Sequence, residues 1–322
     1  MKLFFTSLFL LAASICFAQR QNVYFLKNNG KYVDVRDSAD YIRIVREPDS
    51  ASTLYNVAEF YLNGTQKLVG KSISIDPPKY EGPCVTYYAN GNKQSVINYK
   101  KGVKTGSDLE FYPNGKIYLE TIHLGGDYTQ GSQFWDNHLI QTNRDSLGNA
   151  TVTNGNGYYK GYDDKFTYIE EEGNIKNGKR DGKWKGEYKH THVTFTENYD
   201  NGKLLTGNAQ TEDGKTSTYS GTRGVPPEFK GGIESFGRYL SRNIRYPDLA
   251  RQKGIQGRVI LTFVVEKNGE LSDIKVSKSV IPLIDDEAIR VLKESPKWIP
   301  GTQFGMPVRV QYSVPISFTL GN

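Results

Sequence analysis

Cysteine is nearly missing from this chain: Cys16 and Cys84 are the two in 322 residues. If Cys16 leaves with an N-terminal leader, Cys84 stands alone and no intramolecular disulfide can form. A lone cysteine is then read as a small buried hydrophobe. Histidine is scarce too, with four residues. His190 and His192 sit close together, but no cysteine, aspartate or third histidine has metal-ligand spacing beside them. They are read as an exposed pair on a strand. Long apolar runs are lacking beyond the N-terminus. Hydrophobic residues make up 37% and mean hydropathy is −0.57, which leaves nothing there to span a bilayer as a helix. Neither Gly125-Gly126 nor Gly231-Gly232 is followed by the Lys-Ser/Thr of a phosphate loop. No nucleophile lies in a recognised frame. Asp285-Asp286 is explained by a helix start, where the dipole favours negative charge. Glu170-Glu171-Glu172 is read as a solvated run. These absences point away from an enzyme and predict no cofactor and no metal. The net charge of +6 is modest for the length. Acids are interspersed among the bases, which argues for a solvated surface and against a nucleic-acid partner.

What is present begins with a leader over residues 1–18. Lys2 gives a positive start, an apolar run follows, and Cys16-Phe17-Ala18 puts small residues at −3 and −1 before Gln19. The run is shorter than the roughly 20 residues a spanning helix needs, which favours cleavage after Ala18 over a retained anchor. Ile15 is a poor residue just before a lipidated cysteine, so lipidation at Cys16 is the minor alternative. Residues 19–54 carry no repeat phrase and are left as short strands.

From about residue 55 a phrase recurs. Phe60-Tyr61-Leu62-Asn63-Gly64, Tyr87-Tyr88-Ala89-Asn90-Gly91 and Phe111-Tyr112-Pro113-Asn114-Gly115 come first. Lys176-Asn177-Gly178-Lys179 and Tyr199-Asp200-Asn201-Gly202-Lys203 come later. The Asn spacings, 90 − 63 = 27, 114 − 90 = 24 and 201 − 177 = 24, mark a stacked repeat. Asn-Gly predicts type I′ hairpin turns. The phrases resemble the bacterial variant of MORN-like repeats. The resemblance implies an all-β hairpin-repeat region over residues 55–205, with degenerate or absent units between Gly125 and Gly157. Residues 206–227, rich in Gly, Thr and Ser and ending in Pro226-Pro227, read as a linker.

Residues 228–322 change pattern. Ile233, Phe236, Leu240 and Ile244 lie on one face of a helix. Tyr246-Pro247 stops it. Residues 259–265 form an apolar strand, Lys267-Asn268-Gly269-Glu270 a hairpin turn, and residues 271–277 the return strand. A helix starts at Asp285 and ends at Pro296. Trp298, Pro300 and Gly301 form a corner. Residues 308–320 then alternate apolar and polar, the mark of a strand with one buried face. Pro315 within it has no N–H to give, which places the strand at a sheet edge. Such an edge can accept another chain's strand.

Tyr246-Pro247, Ala250, Gly254, Gly257, Val259, Phe263, Val265, Gly269, Ala288, Trp298, Pro300-Gly301, Pro307-Val308 and Pro315-Ile316-Ser317-Phe318 resemble the C-terminal domain of TonB proteins. The resemblance implies a small α+β domain, an antiparallel sheet with two helices, that is periplasmic and binds a short box of an outer-membrane transporter by strand addition. It also implies a contact from the segment before Tyr-Pro. The candidate partner-binding residues are therefore Asn243, Ile244, Arg245, Tyr246, Arg309, Gln311, Ser313 and Pro315. Asn243-Ile244-Arg245 stands where the best-known members have Gln-Pro-Gln.

The expectation is a multidomain, exported envelope protein of a Gram-negative bacterium, without enzymatic activity. Its edge strand docks a transporter peptide, in service of transmembrane transport. A homodimer through the same edge is a further possible partner. Inner-membrane motor partners follow only if the leader is retained. The alternative is an envelope scaffold whose repeats bind glycan or protein without energy transduction.

Overall fold

A computed structural model describes residues 20–124 and 138–320. The expected leader and Gly125-Gly126 lie outside the described residues. The chain forms two compact units, residues 1–157 and 158–322. The fold is mostly β-strand with few helices. Among the described residues, no helix is long and apolar enough to cross a membrane.

The first unit is an antiparallel meander. Its strands are β1 (Gln21–Leu26), β2 (Tyr32–Val33), β3 (Tyr41–Arg46), β4 (Tyr55–Tyr61), β5 (Gln66–Ser72), β6 (Tyr80–Tyr87), β7 (Lys93–Lys100), β8 (Val103–Lys104), β9 (Gly106–Phe111), β10 (Ile117–His123), β11 (His138–Arg144) and β12 (Ala150–Thr153). β1 pairs with β2 and β3, and the ladder then runs through chain neighbours from β3 to β7. β7 pairs with β8 and β9, and β9 to β12 continue the order. Apart from the β10–β11 step, these pairings join strands close in sequence, so the ordering entropy of each is small. Val45, Val57, Leu68 and Cys84 form a buried core on one face. Cys84 is buried and free. Burial, helped by the nearby Glu59 carboxylate, pushes its thiol up to about 12. It behaves as the small hydrophobe its isolation predicted.

The repeated phrase makes a repeated turn. At Asn63-Gly64, Gly64 N–H donates to Tyr61 O (2.9 Å), Tyr61 N–H to Thr65 O (2.8 Å), and Thr65 N–H to the Asn63 Oδ1 (2.9 Å). Asn90-Gly91 and Asn114-Gly115 repeat the three bonds. Only the glycine has a left-handed φ, +86° at Gly91 and +83° at Gly115. This is a three-residue loop, a type I turn closed by a glycine bulge, and not the expected type I′ turn. The Asn side chain takes up the following N–H, which holds Asn itself at negative φ. The type I′ turn does occur at Asn177-Gly178 (φ 51° and 78°) and Asn201-Gly202 (φ 46° and 89°). In the first unit two further described turns use the three-residue form. One is at Asn29-Gly30, in the segment that showed no repeat phrase. The other is at Gly148, where Asp145 Oδ1 accepts from Leu147 and Asn149 in place of an Asn.

Each turn also bonds to the next. Tyr61 Oη donates to Tyr87 O (2.8 Å), Tyr88 Oη to Phe111 O (2.6 Å), and Tyr112 Oη to Arg144 O (2.7 Å). Asn90 Nδ2 reaches Pro113 O (2.9 Å) and Asn114 Nδ2 reaches Ser146 O (3.0 Å). The aromatic before Asn-Gly is thus a strut between successive hairpins as well as a packing group.

β13 (Asn156–Tyr162) runs across the division between the units. In the second unit, β14 (Ile169–Lys176), β15 (Lys179–Tyr188), β16 (Val193–Asp200), β17 (Lys203–Thr211) and β18 (Thr216–Gly221) form another meander. Residues 206–227 are therefore not a plain linker, since β17 and β18 occupy much of that stretch. Its Thr, Ser and Gly content reads as loop, but Tyr219 lies opposite Gly207, and a Cβ on Gly207 would meet the Tyr219 ring at 2.3 Å. Gly173 opposite Trp184 and Gly186 opposite Phe195 repeat the device, with a Cβ meeting those rings at 2.4 and 2.3 Å. The ring lies flat over bare backbone and compensates the glycine's missing side chain.

The same buried face holds a charge cluster. Arg223 grips Glu197 with two bonds (2.7 and 2.5 Å) and donates to Glu171 Oε2 (2.9 Å) and Tyr188 Oη (3.0 Å). Arg180 bonds Glu171 and Tyr199. Tyr219 and Tyr199 donate to Glu197 at 2.7 and 3.0 Å. Two arginines and two glutamates cancel, which makes the burial tolerable. Glu171 is buried within this cluster, so the Glu170-Glu171-Glu172 run is not uniformly solvated as expected. Two periods of alternation, not net polarity, decide which of the three glutamates turns inward. His190 and His192 fall in the turn between β15 and β16 and not on a strand, and His192 Nδ1 lies 2.9 Å from a Glu212 carboxylate oxygen.

The C-terminal domain follows through β19 (Gly224–Val225). Its elements are α1 (Gly232–Asn243), α2 (Asp248–Gln252), β20 (Gly257–Val265), β21 (Leu271–Lys278), α3 (Pro282–Lys293), β22 (Thr302–Gln303), β23 (Met306–Pro307) and β24 (Val310–Phe318). Besides the two expected helices, α1 and α3, a short further turn, α2, starts at Asp248 after Pro247. Phe236, Val259, Leu261, Phe263, Ile284, Leu292, Trp298, Val314, Ile316 and Phe318 build the core. Ile233, expected on the inner face of α1, is 78% exposed. It lies in the first turn, and Phe229 from upstream packs on Phe236 and Trp298 instead. The β22–β23 hairpin was not foreseen. Its tip, Phe304, stacks on Phe195 with centroids 5.3 Å apart and contacts Tyr188 and Tyr219. Phe304 N–H donates to Arg223 O and its carbonyl accepts from Ser217 Oγ. The domain is thereby plugged into the buried face of the β14–β18 hairpins.

Gly91→Val should lower the thermal midpoint of the chain. Nothing lies within 4 Å of the added Cβ, so the effect is the cost of a β-branched residue at φ +86°, about 1–3 kcal/mol. An unchanged midpoint would reject the turn geometry.

A second prediction concerns acid. Burial works to raise the Glu197 pKa, but the Arg223 guanidinium outweighs it and holds the carboxyl below its ordinary 4.5. A carboxyl depressed in the folded state stabilises the fold above its unfolded pKa, and that stability is lost as pH falls through the folded value. Urea melts should show full stability at neutral pH and a decline on the acid side of 4.5. Arg223→Met should cost about 3–5 kcal/mol at neutral pH, because it leaves two buried carboxylates with one arginine between them. A variant as stable as the parent would contradict the cluster's role.

Candidate docking edge in the C-terminal sheet

The sheet order is β21–β20–β24, which leaves β24 with one paired side among the described residues. Alternation along β24 explains its two faces. Val314, Ile316 and Phe318 are buried toward the helices, while Gln311, Ser313, Pro315 and Ser317 are exposed. The strand is shorter than the residue 308–320 alternation predicted, because Val308 N–H donates to Gly301 O (2.8 Å) and leaves the ladder.

The register settles where the backbone groups point. Pro315 stands opposite Ile260, Ser313 opposite Thr262 and Gln311 opposite Val264, with no shift along the ladder. Opposed residues in an antiparallel pair alternate between exchanging two N–H···O bonds and exchanging none. Pro315 has no N–H, so its pair with Ile260 is of the second kind. By alternation Ser313 and Gln311 also turn their N–H and C=O away from β20. Val310, Tyr312, Val314 and Ile316 turn theirs inward. The free edge therefore offers the backbone groups of Gln311 and Ser313 and the carbonyl of Pro315. Ser313 Oγ and Thr262 Oγ1 share a bond of 2.9 Å on the exposed face.

Arg309 sits just before β24. Its guanidinium bonds Glu266 (2.9 Å) and Asp273 (2.6 Å), at the β20–β21 hairpin. Those carboxylates raise its pKa, the Glu266 bond most. The side chain thus ties the start of β24 to its neighbours and is not aimed at an incoming strand.

Asn243, Ile244, Arg245 and Tyr246 form the turn between α1 and α2. α1 ends here because Ile244 takes extended backbone ahead of Tyr246-Pro247. Ile244 N–H donates to Leu240 O (2.9 Å), and Asn243 O accepts from Arg290 (2.7 Å). Arg245 N–H donates to Glu287 (2.5 Å). Burial favours protonating Glu287, but Arg290 and the Arg245 N–H override it and keep its pKa low. The Arg245 side chain is exposed. Tyr246 donates to Ile255 O, and its ring lies edge-on to Phe318, centroids 5.9 Å apart. Tyr246 therefore meets the C-terminal end of β24, while Arg309 lies at the other end. The structure joins the Tyr246 turn to the strand but does not gather all eight residues in one place. The residues that sequence reasoning missed are Glu287 and Arg290, which hold the turn. The Glu-x-x-Arg spacing on one helix face was their visible signal.

Among the described residues no group of three or more His, Cys, Asp or Glu side chains is placed to hold a metal ion.

A three-stranded antiparallel sheet backed by helices, with one open proline-bearing edge, is the frame in which the chain compares with known proteins. Residues 242–320 match the family described as Gram-negative bacterial TonB protein C-terminal, and this stretch is a TonB C-terminal domain. Protein TonB of two Helicobacter pylori strains is 29% identical to this chain over 113 residues, or 34% of it. The match covers 37% of one relative and 38% of the other, so the chain spans little more than a third of their length. Two solution structures of the Helicobacter pylori TonB C-terminal domain are similar at 24% and 25% identity. They cover 28% and 27% of this chain and 81% and 91% of theirs, each with a TM-score of 0.23.

Two proline scans separate the two sides of β24. Ser313→Pro removes an outward N–H and should leave the fold nearly as stable as the parent. Val314→Pro removes an inward ladder bond and a buried side chain and should destabilise the domain far more than Ser313→Pro does. Circular dichroism melts of both variants check this. Equal destabilisation would overturn the edge assignment.

Proposed function

We propose that this is a non-enzymatic envelope protein of the TonB type, whose β24 edge docks a β-strand peptide from an outer-membrane transporter. The supporting observation is the Pro315 register, which turns the backbone groups of Gln311 and Ser313 away from β20. An extended peptide adds to such an edge through main-chain bonds, and side-chain pockets select its sequence. Tyr246 and the exposed Arg245 stand at the C-terminal end of the edge, where they would read the peptide's flank. The family of the C-terminal domain supports this partner class, and an exported location in the cell envelope follows from it together with the leader expected over residues 1–18. The hairpins of residues 55–205, read as MORN-like, serve as a spacer or second surface ahead of a domain spanning residues 228–322. The same open edge would also serve a homodimer.

Titrating fluorescent peptides from transporter N-termini into the full chain tests the reading. Saturable binding is expected. Ser313→Pro should weaken it by about 0.5–1.5 kcal/mol, the worth of one bond. Absence of binding, or equal binding by Ser313→Pro, would sink it. Sedimentation of the free chain tells a second copy from a peptide as the occupant.

A further inference from the structure

The hairpins of the second unit have an outer face that the docking edge does not use. Along β14 to β18 the buried positions alternate with exposed ones; in the middle of β16, β17 and β18 the exposed side chains are amides and hydroxyls apart from Leu205, while charged groups stand on β15 and at strand ends. There an open cleft of about 750 Å³ is lined by Tyr158, Asn174, Lys183, Asn198, Thr206 and Asn208. The side chains of Asn174, Asn198, Thr206 and Asn208 have no protein hydrogen-bond partner among the described residues. Lys185 holds Glu172 at 3.0 Å, which cancels that pair and leaves Lys183 as the cation of the lining. The Tyr158 ring is 40% exposed.

The register arranges these groups in rows across the strands. Lys183, Asn198 and Thr206 are cross-strand neighbours on β15, β16 and β17. Thr196, Asn208 and Thr218 form the next row, on β16, β17 and β18. Neighbouring strands lie roughly 4.8 Å apart, about the length of one pyranose ring. The backbone here is fully engaged in ladders on both sides of β15, β16 and β17, so a peptide strand has no edge to join.

We propose that this face binds an uncharged glycan strand bearing acetamido groups, laid across the strands with about one sugar per strand. Side-chain amides bond acetamido groups in both directions, because each carries a donor and an acceptor. Thr196 and Thr206 hydroxyls match sugar hydroxyls in the same way. Lys183 donates to sugar oxygens, and the exposed Tyr158 ring covers an apolar sugar face. The inference names the ligand class of the hairpins' second-surface role and is independent of the peptide edge.

Calorimetric titration of the full chain with chitohexaose and with cellohexaose tests it. Saturable binding of chitohexaose is expected, with cellohexaose about tenfold weaker because it lacks the acetamido groups. The double variant Asn198→Ala, Asn208→Ala should lose about tenfold in chitohexaose affinity, with an unchanged thermal midpoint because both residues are exposed. Ser313→Pro should bind chitohexaose as the parent does, which separates this site from the docking edge. No saturable chitohexaose binding, equal binding of the two sugars, or parental affinity in the double variant would overturn the proposal.

Discussion

An aromatic ring laid over a glycine on the neighbouring strand is the contact on which the second unit depends. Trp184 on Gly173, Phe195 on Gly186 and Tyr219 on Gly207 fill one face of the sheet. Any side chain in place of these glycines would collide with the ring, so the pair is specified from both strands at once. Register follows, because a slip of one residue would carry every ring to the opposite face. The glycines, usually a weakness in a strand, are here what allows large rings to lie flat in a sheet without a second layer.

That flat aromatic floor makes the charge cluster and the C-terminal domain compatible. Arg180 lies over Trp184, its guanidinium carbon 4.2 Å from the ring centre, and Arg223 lies over Phe195 at 4.4 Å. Both cations are thus held between carboxylates and ring faces in a water-poor setting. Phe304 completes the stack from the other side. The TonB C-terminal domain is accordingly attached to the hairpins by a side chain at the tip of its own β22–β23 hairpin as well as by the chain that leads into it.

Much of this was legible in the sequence. The alternation of β24, the proline within it, the amphipathic α1 and α3 and the Asn-Gly turns follow from local rules acting over a few residues. The three-residue turns were missed because Asn-Gly is compatible with two loop lengths, and the choice depends on whether the Asn side chain finds the N–H two residues on. The strands within residues 206–227 were missed because composition speaks of solvation, whereas Gly207 gains its meaning only from Tyr219 across the ladder. Glu171 looked solvated for the same reason, since Arg180 and Arg223 are distant in sequence. At the candidate edge, Pro315 was readable alone. The engagement of Arg309 with Glu266 and Asp273 needed the β20–β21 hairpin to be in place.

The tyrosine struts of the first unit all run one way. Tyr61, Tyr88 and Tyr112 each donate to a carbonyl at the start of the turn that follows. A stack built so has a head and a tail. Excising one whole hairpin leaves every donor facing an acceptor, while a cut through a hairpin orphans one of each. The array can therefore change its reach in whole steps, like a ruler graduated in hairpins, and evolution can set its length without redesigning any joint.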